Sequence, residues 1–375
     1  MNSTNGVIPA LTGIRAICVY FIFFKHLNFF SPQYQPNLYL FVNQFFSFLN
    51  FFFVLSGFVI YYKYGNIGNL DKTKLYNYFI NRVSRVFPIL FILVSITFLI
   101  AYLYKYSSGE ETIKLYILNI TLLKGFSSKY LLTGIGPSWS LSVEELFYLL
   151  APFIFLYATN LSSLIKIVLT SHATGLLITI IFVLFPIAGY FDSLYFTAYF
   201  TFFGRAFEFA CGIFLGMIVK GKLPDPFLKK LGNRTLYLGL FIIGLSLTLL
   251  YLIAQHFKIM TAVDTWQGLI VNNLLLPVGI TLFFYNMIYH NNLLQRFLAS
   301  RLMVELGNAT YSFYLLHTTF VLTLITKYVS HNVFIVFFIM IIVSVVFYKT
   351  IEQPIAIYLR RKLSLKRKLA SAQPI

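Results

Sequence analysis

Leu11 to Phe30 read LTGIRAICVYFIFFKHLNFF, a largely apolar run with Arg15 near its entrance and the pair Lys25-His26 well inside. About 20 such residues are what a helix needs to cross a hydrocarbon core about 30 Å thick. Arg15 and His26 are separated by about three helical turns, so both side chains leave one helix face, roughly 16 Å apart. An ionisable group near the bilayer centre costs about 2.5–3.5 kcal/mol on insertion scales, and such groups usually face the protein interior at functional sites. The bland alternative is that Arg15 marks the cytoplasmic end of the helix and His26 only packs. The stretch has no A-x-A-like cleavage site, so it reads as a span and not as a signal peptide.

Composition carries the same reading to the whole chain. Of 375 residues, 59% are hydrophobic and only 11% are charged, which excludes an ordinary soluble globular enzyme. The expectation is an all-α, polytopic membrane protein of about ten spans. They are placed near 12–30, 38–62, 86–104, 138–158, 163–185, 194–219, 235–255, 268–289, 309–328 and 333–351. No internal repeat is visible and no polar stretch is long enough for a separate domain, so residues 1–375 read as one membrane domain with a basic cytoplasmic tail from 351. Cys18 and Cys211 both sit in apolar runs and offer neither a disulfide framework nor a metal-binding CxxC spacing.

A formal charge of +18 would suit a nucleic-acid partner, but its distribution points elsewhere. With the N-terminus inside, 21 of the 29 lysines and arginines fall on the cytoplasmic side. Six fall outside (Lys105, Lys114, Lys124, Lys129, Lys258 and Lys327), and Lys25 and Arg205 lie within the spans. This is the positive-inside bias, with both termini cytoplasmic. The basic tail, with Lys366, Arg367 and Lys368 near its end, can lie on anionic lipid headgroups and needs no nucleic acid.

Polar residues within the spans then become informative. Arg205 and Glu208 stand three apart on one helix and can neutralise each other, a structural role. Gly212 and Gly216 follow at GxxxG spacing, which suits close helix packing. The fourth span opens with Gly136-Pro137-Ser138-Trp139-Ser140-Leu141-Ser142-Val143-Glu144-Glu145-Leu146-Phe147-Tyr148. Ser140, Glu144 and Tyr148 recur at i, i+4 and i+8, which flanks a carboxylate with two hydroxyls. Antiparallel first and fourth spans would put His26 and Glu144 in the outward half of the membrane, where a carboxylate can orient an imidazole as in the base-orienter half of a triad. Between Lys105 and Pro137, the stretch from Glu110 to Lys124 reads as a short interfacial amphipathic helix. On the inner side, Arg82 and Arg85 lead into the third span one turn apart, a spacing that suits a bound phosphate and membrane anchoring equally.

These residues together resemble acyltransferase family 3, the bacterial integral-membrane O-acyltransferases. The matching motifs are Arg15 and His26 as Arg-x10-His, Phe52-Phe53-Val54-Leu55-Ser56-Gly57-Phe58, Arg82 and Arg85 as Arg-x-x-Arg, and Trp139-Ser140-Leu141 with Glu144, Phe147 and Tyr148. Tyr311-Ser312-Phe313-Tyr314-Leu315-Leu316-His317 and Glu352-Gln353-Pro354 complete the series. Gln353 stands where the family commonly has arginine, and no SGNH-type hydrolase domain is seen, as expected of a stand-alone member.

The resemblance implies transfer of an acyl group, usually acetyl, from cytoplasmic acyl-coenzyme A to a hydroxyl of a cell-envelope polysaccharide, such as lipopolysaccharide, or its lipid-linked precursor. Acetyl-coenzyme A is then a co-substrate, with no permanently bound cofactor and no metal. Arg82, Arg85 and Arg15 would hold the donor's phosphates, His26 would act as general base, and Glu144 would orient it or balance its charge. Trp139, Ser140, Tyr148, Tyr314 and His317 are the supporting candidates. Implied partners are acyl-coenzyme A, the glycan acceptor and membrane lipids, with a homo-oligomer possible and the cytoplasmic (inner) membrane as location. A secondary transporter or flippase of a glycan precursor is the alternative, since it too would keep ionisable residues at the midplane. A silent scaffold would need only the packing motifs.

Overall fold

Local chemistry marks where each apolar run becomes a helix. The computed structural model describes residues 8–27, 29–65, 71–104 and 109–370, with side chains as far as 363. Lys105 and the side chains of Lys366, Arg367 and Lys368, counted above as basic sites, lie outside the described residues. Pro9, whose missing N–H costs nothing at a helix start, opens α1 (Pro9–His26). It is followed by α2 (Pro36–Tyr64) and by α3 (Lys72–Leu103), whose N-cap Asp71 accepts from Thr73 N at 2.7 Å. That bond holds the Asp71 carboxyl below its usual range. Next come α4 (Gly109–Ile120), α5 (Trp139–Tyr157) and α6 (Leu161–Leu184), the last with a capping box formed by Asn160 and Ser163. The chain continues through α7 (Leu194–Val219), α8 (Arg234–Phe257), α9 (Trp266–Tyr289), α10 (Arg301–Asn308), α11 (Thr310–Leu316), α12 (Phe320–Tyr328), α13 (Val333–Phe347) and α14 (Gln353–Ala370).

Every regular element among the described residues is helical. Eight helical stretches there are long and apolar enough to cross a membrane, as befits a polytopic membrane protein. Two further expected spans do not reach that standard. In α1, Arg15, Lys25 and His26 dilute an 18-residue apolar run, and the 309–328 stretch breaks at His317–Thr319 into α11 and α12. The helix carrying Arg82 and Arg85 also starts earlier than expected, so both arginines lie within α3 and do not merely precede it.

The chain divides into two compact units. The first comprises Met1–Asn66, Phe126–Ser128 and Val143–Asn308. Its central seam joins α2 to α7 through glycines. A Cβ on Gly57 would fall 2.2 Å from Phe209 O, and one on Gly212 would fall 2.0 Å from Val54 O, so only hydrogen allows the backbones to approach this closely. The same unit buries Arg205, whose Nε lies 3.1 Å from Glu208 Oε1 and whose Nη2 donates to Asn50 Oδ1 at 2.6 Å. Its Nη1 donates to Asn273 Oδ1, while the rings of Phe53 and Tyr199 flank the guanidinium. Three irregular segments surround this cluster: a 3-10 turn at Gln44–Phe48, a break at Thr201 and a π turn at Val271–Leu275. Irregular backbone frees carbonyls that lipid cannot satisfy. Asparagine side chains supply the donors: Asn50 Nδ2 to Asn272 O at 2.8 Å, and Asn273 Nδ2 to Ala198 O at 2.9 Å.

The second unit comprises Ile67–Gly125, Lys129–Ser142 and Ala309–Ile375. Here α14 packs along α3, and α11 against α13. Polar pins fix the packing. Tyr311 OH donates to Val86 O at 2.8 Å, Ser312 Oγ donates to Glu352 Oε2, and Arg360 Nε donates to Ser84 Oγ at 3.3 Å. The expected basic tail from 351 is thus helical to residue 370.

Candidate active site

In the first unit, α1 carries Arg15 and His26, both half-buried. Its fully covered face is Cys18, Val19, Ile22 and Phe23, so the polar pair is not part of the tightest packing. The 3-10 turn of α2 packs against α1, where the Phe21 and Phe48 rings stack at 4.5 Å. Further along α2, Ser56 Oγ donates to Glu144 Oε1 of α5 at 2.7 Å and lies 3.1 Å from Tyr148 OH. A serine hydroxyl has one proton. Spent on the carboxylate, it leaves Ser56 as acceptor from Tyr148, and the order is Tyr148 to Ser56 to Glu144. The Ser56 hydroxyl therefore points at the carboxylate, backed in turn by that of Tyr148, which fixes the orientation of Glu144.

Sequence spacing assigned the two hydroxyls beside Glu144 to Ser140 and Tyr148. Ser140 is engaged elsewhere. In the second unit its Oγ lies 2.7 Å from Tyr314 OH, and Tyr314 OH donates to Pro137 O at 2.7 Å. Ser140 Oγ also lies 3.2 Å from Pro137 O, so either hydroxyl can donate to that carbonyl while the other donates within the pair. Trp139, buried, begins α5 beside them. His317 is fully buried at the break after α11, donates from Nδ1 to Phe313 O at 3.3 Å, and has its ring 5.7 Å from that of Tyr314. Ser140, Tyr314 and His317 thus form a second cluster. Arg82, buried, and Arg85, half-buried, belong to this unit through α3.

Removing the Ser56 hydroxyl should loosen Glu144 without disturbing the seam at Gly57. Ser56→Ala is expected to lower turnover about tenfold, the value of a hydrogen bond to a charged group, with thermal stability nearly unchanged. Steady-state rates alongside a melting curve check this. Unchanged turnover would mean that the orientation of Glu144 is irrelevant.

Lys124 is the residue that sequence reading missed most completely. Counted among the six basic residues of the outer side, at the end of an interfacial helix, it is fully buried and donates to Thr133 O at 2.6 Å and Ile135 O at 2.8 Å. The amphipathic helix expected through Lys124 ends at Ile120, after which Leu122 adopts φ 61 and turns the chain inward. Lys124 thereby ties down the loop leading into Gly136-Pro137-Ser138. Burial pulls its pKa from 10.5 down to about 7. Between those values the unfolded chain binds a proton that the folded one does not, so this group's contribution to stability rises with pH from about 7 to 10.5 and is lost as pH falls through 7. The stability difference between wild type and Lys124→Met should therefore depend on pH across that window. A pH-independent difference would refute it.

Residues 8–349 match the family model described as an acyltransferase domain. The chain belongs to the acyltransferase 3 family. Among curated proteins it is similar to the O-acetyltransferase OatA of Staphylococcus aureus (strain NCTC 8325 / PS 47), 24% identical over 380 residues. That alignment covers 93% of this chain and 57% of the relative, so the chain spans little more than half of that protein's length. The acyltransferase MdmB of Streptomyces mycarofaciens is 28% identical over 165 residues, covering 39% of this chain and 38% of the relative. No solved structure matches. Within this family the sequence signals Arg15, His26, Arg82, Arg85, Trp139, Glu144 and Tyr314 all fall inside the matched stretch.

Proposed function

We propose that the protein transfers an acyl group, acetyl in the first place, from cytoplasmic acyl-coenzyme A to a hydroxyl of a cell-envelope polysaccharide or its lipid-linked precursor. The observation that carries this reading is the carboxylate of Glu144, held by Ser56 and Tyr148 in the unit that also contains α1. Such an anchored carboxylate in a membrane helix suits a partner that becomes positively charged during reaction. The relative's name, O-acetyltransferase, supports an oxygen acceptor and an acetyl donor.

His26 is the general base in this proposal. It takes the proton from the acceptor hydroxyl as the oxygen attacks the thioester carbonyl. A C–O bond forms, the C–S bond breaks, and the departing thiolate recovers the proton from the imidazolium. An imidazole with an ordinary pKa of about 6.5 is suited to that exchange near neutral pH. Glu144 stabilises the imidazolium, and Arg15, Arg82 and Arg85 bind the phosphates of the donor. Trp139, Ser140, Tyr314 and His317 support the start of α5.

Sidedness tests the proposal. Coenzyme A thioesters do not cross a bilayer unaided, so labelled acetyl-coenzyme A added outside should support transfer in inside-out vesicles and fail in sealed right-side-out ones. An acceptor confined to the opposite compartment should still be modified. If no thioester is consumed in either orientation, the enzyme reading fails and the transporter or flippase takes its place.

A further inference from the structure

Two neighbouring helices of the first unit leave a groove between them. It has a volume of about 430 Å³, within the size range of small-molecule sites, and runs between the end of α5 and the first three turns of α6. Phe153, Tyr157, Lys166 and Thr170 along it are exposed, so the groove faces outward. Both helices have the length and apolarity of membrane spans, and only 11% of the apolar stretch of α6 is buried, the smallest share among the eight. The groove therefore opens where the bilayer lies.

Its polar lining consists of donors, with no carboxylate among them. Ser163 is spent on the helix cap, where its Oγ donates to Asn160 O at 2.7 Å. The others are not spent: among the described residues, Tyr157 OH, Lys166 Nζ and the hydroxyls of Thr170 and Ser171 make no hydrogen bond, and Lys166 forms no ion pair. Thr179, further along the same helix, shows the usual recourse of a hydroxyl in lipid by donating back to Gly175 O at 2.9 Å. Lys166 stands five residues past Leu161, the first of α6, hence about 7.5 Å along the helix and close to the base of a headgroup layer about 5–7 Å thick. Thr170 and Ser171 follow about one turn deeper. Positive-inside anchoring accounts for a lysine at that depth, but not for the groove beside it or for the hydroxyls below it.

We propose that this groove binds an anionic phospholipid of the surrounding bilayer, with the phosphate against Lys166 and Tyr157 and one fatty-acid chain along Phe153, Ile154 and Ile167. The Thr170 and Ser171 hydroxyls then donate to the ester carbonyls of the glycerol backbone. Phosphate and ester oxygens are acceptors, which is what a lining of donors requires. The unpaired charge of Lys166 selects a net-negative headgroup, because a zwitterionic one brings a cation of its own beside the phosphate. The site does not rest on the donor and acceptor roles given above.

The test is native mass spectrometry of the purified protein in neutral detergent, titrated with dioleoylphosphatidylglycerol or dioleoylphosphatidylcholine. Wild type is expected to prefer phosphatidylglycerol about fivefold for the first molecule bound, the value of one lysine at an anionic surface. Lys166→Gln should abolish the preference and Lys166→Arg should keep it. Thr170→Trp, which fills the groove, should lose the first molecule of either lipid, with a melting curve showing that it is folded. Lys230→Gln, altering an exposed cation elsewhere in the same unit, should bind as wild type. A preference retained in Lys166→Gln, or lost equally in Lys230→Gln, would mean that the basic surface at large reads the charge, and would overturn the proposal. Binding retained in Thr170→Trp would overturn it too, since the chain then lies elsewhere. A polyprenyl phosphate that displaces phosphatidylglycerol at a tenth of its concentration would assign the groove to a lipid-linked substrate instead. A wild-type dimer broken by Thr170→Trp would assign it to a second copy of the chain.

Discussion

Replacing His26 by alanine is expected to reduce acyl transfer by about 10²- to 10⁴-fold, the usual cost of losing a general base. The protein should still insert and fold, because the buried face of α1 is formed by Cys18, Val19, Ile22 and Phe23 and His26 is only half-buried at the helix end. Transfer from labelled acetyl-coenzyme A by equal amounts of purified protein checks both halves. The pH profile supplies an independent readout: wild-type rate should climb as pH rises through the imidazole range, and the residual rate of the variant should not. A merely twofold loss, or a retained pH profile, would mean that His26 packs and does not transfer protons.

The second large effect is on stability. Arg205→Met should destabilise the protein by about 3–5 kcal/mol, because it strands the Glu208 carboxylate, fully buried, without its cation. It also removes the donors to Asn50 and Asn273, whose other hydrogen bonds serve the irregular backbone around them. The double variant Arg205→Met/Glu208→Met should recover much of the loss, since replacing a buried pair by apolar groups is often nearly neutral. Thermal unfolding of the three proteins in one detergent is the measurement. If the single variant melts with wild type, the pair does not hold these helices together.

Much of this was legible along the chain because a helix repeats its face every 3.6 residues. Arg15 with His26, and Arg205 with Glu208, are visible from spacing alone. Ser56 was not, although it stands in a quoted motif, because one hydroxyl in an apolar run looks like packing until its partner on α5 is known. Ser140 had the right spacing to serve Glu144 and a better partner in Tyr314, 174 positions away. The break after His317 interrupts an apolar run with no Gly or Pro, and its local trace is Thr319, the N-cap of α12, whose side chain accepts from Val321 N. Lys124 was the hardest: charge statistics place a lysine in water, and only tertiary structure supplies the two carbonyls that hold it inside. Motifs recur along one dimension, whereas hydrogen-bond partners are chosen in three.

The glycine seam between α2 and α7 has a consequence for aim as well as for packing. With about 100° between successive residues, a small turn of α2 about its own axis would swing Ser56 away from α5. Gly57, its immediate neighbour, rests on Phe209 O, and the ring of Phe209 in turn lies 5.3 Å from that of Phe53 and 4.2 Å from that of Phe147. The seam therefore works as an indexing stop, with a backbone carbonyl as the pawl and a missing methyl group as the notch. Substitutions at Gly57 or Gly212 would misalign the serine and its carboxylate from a distance. In a screen for lost activity they would look like active-site lesions while touching no substrate.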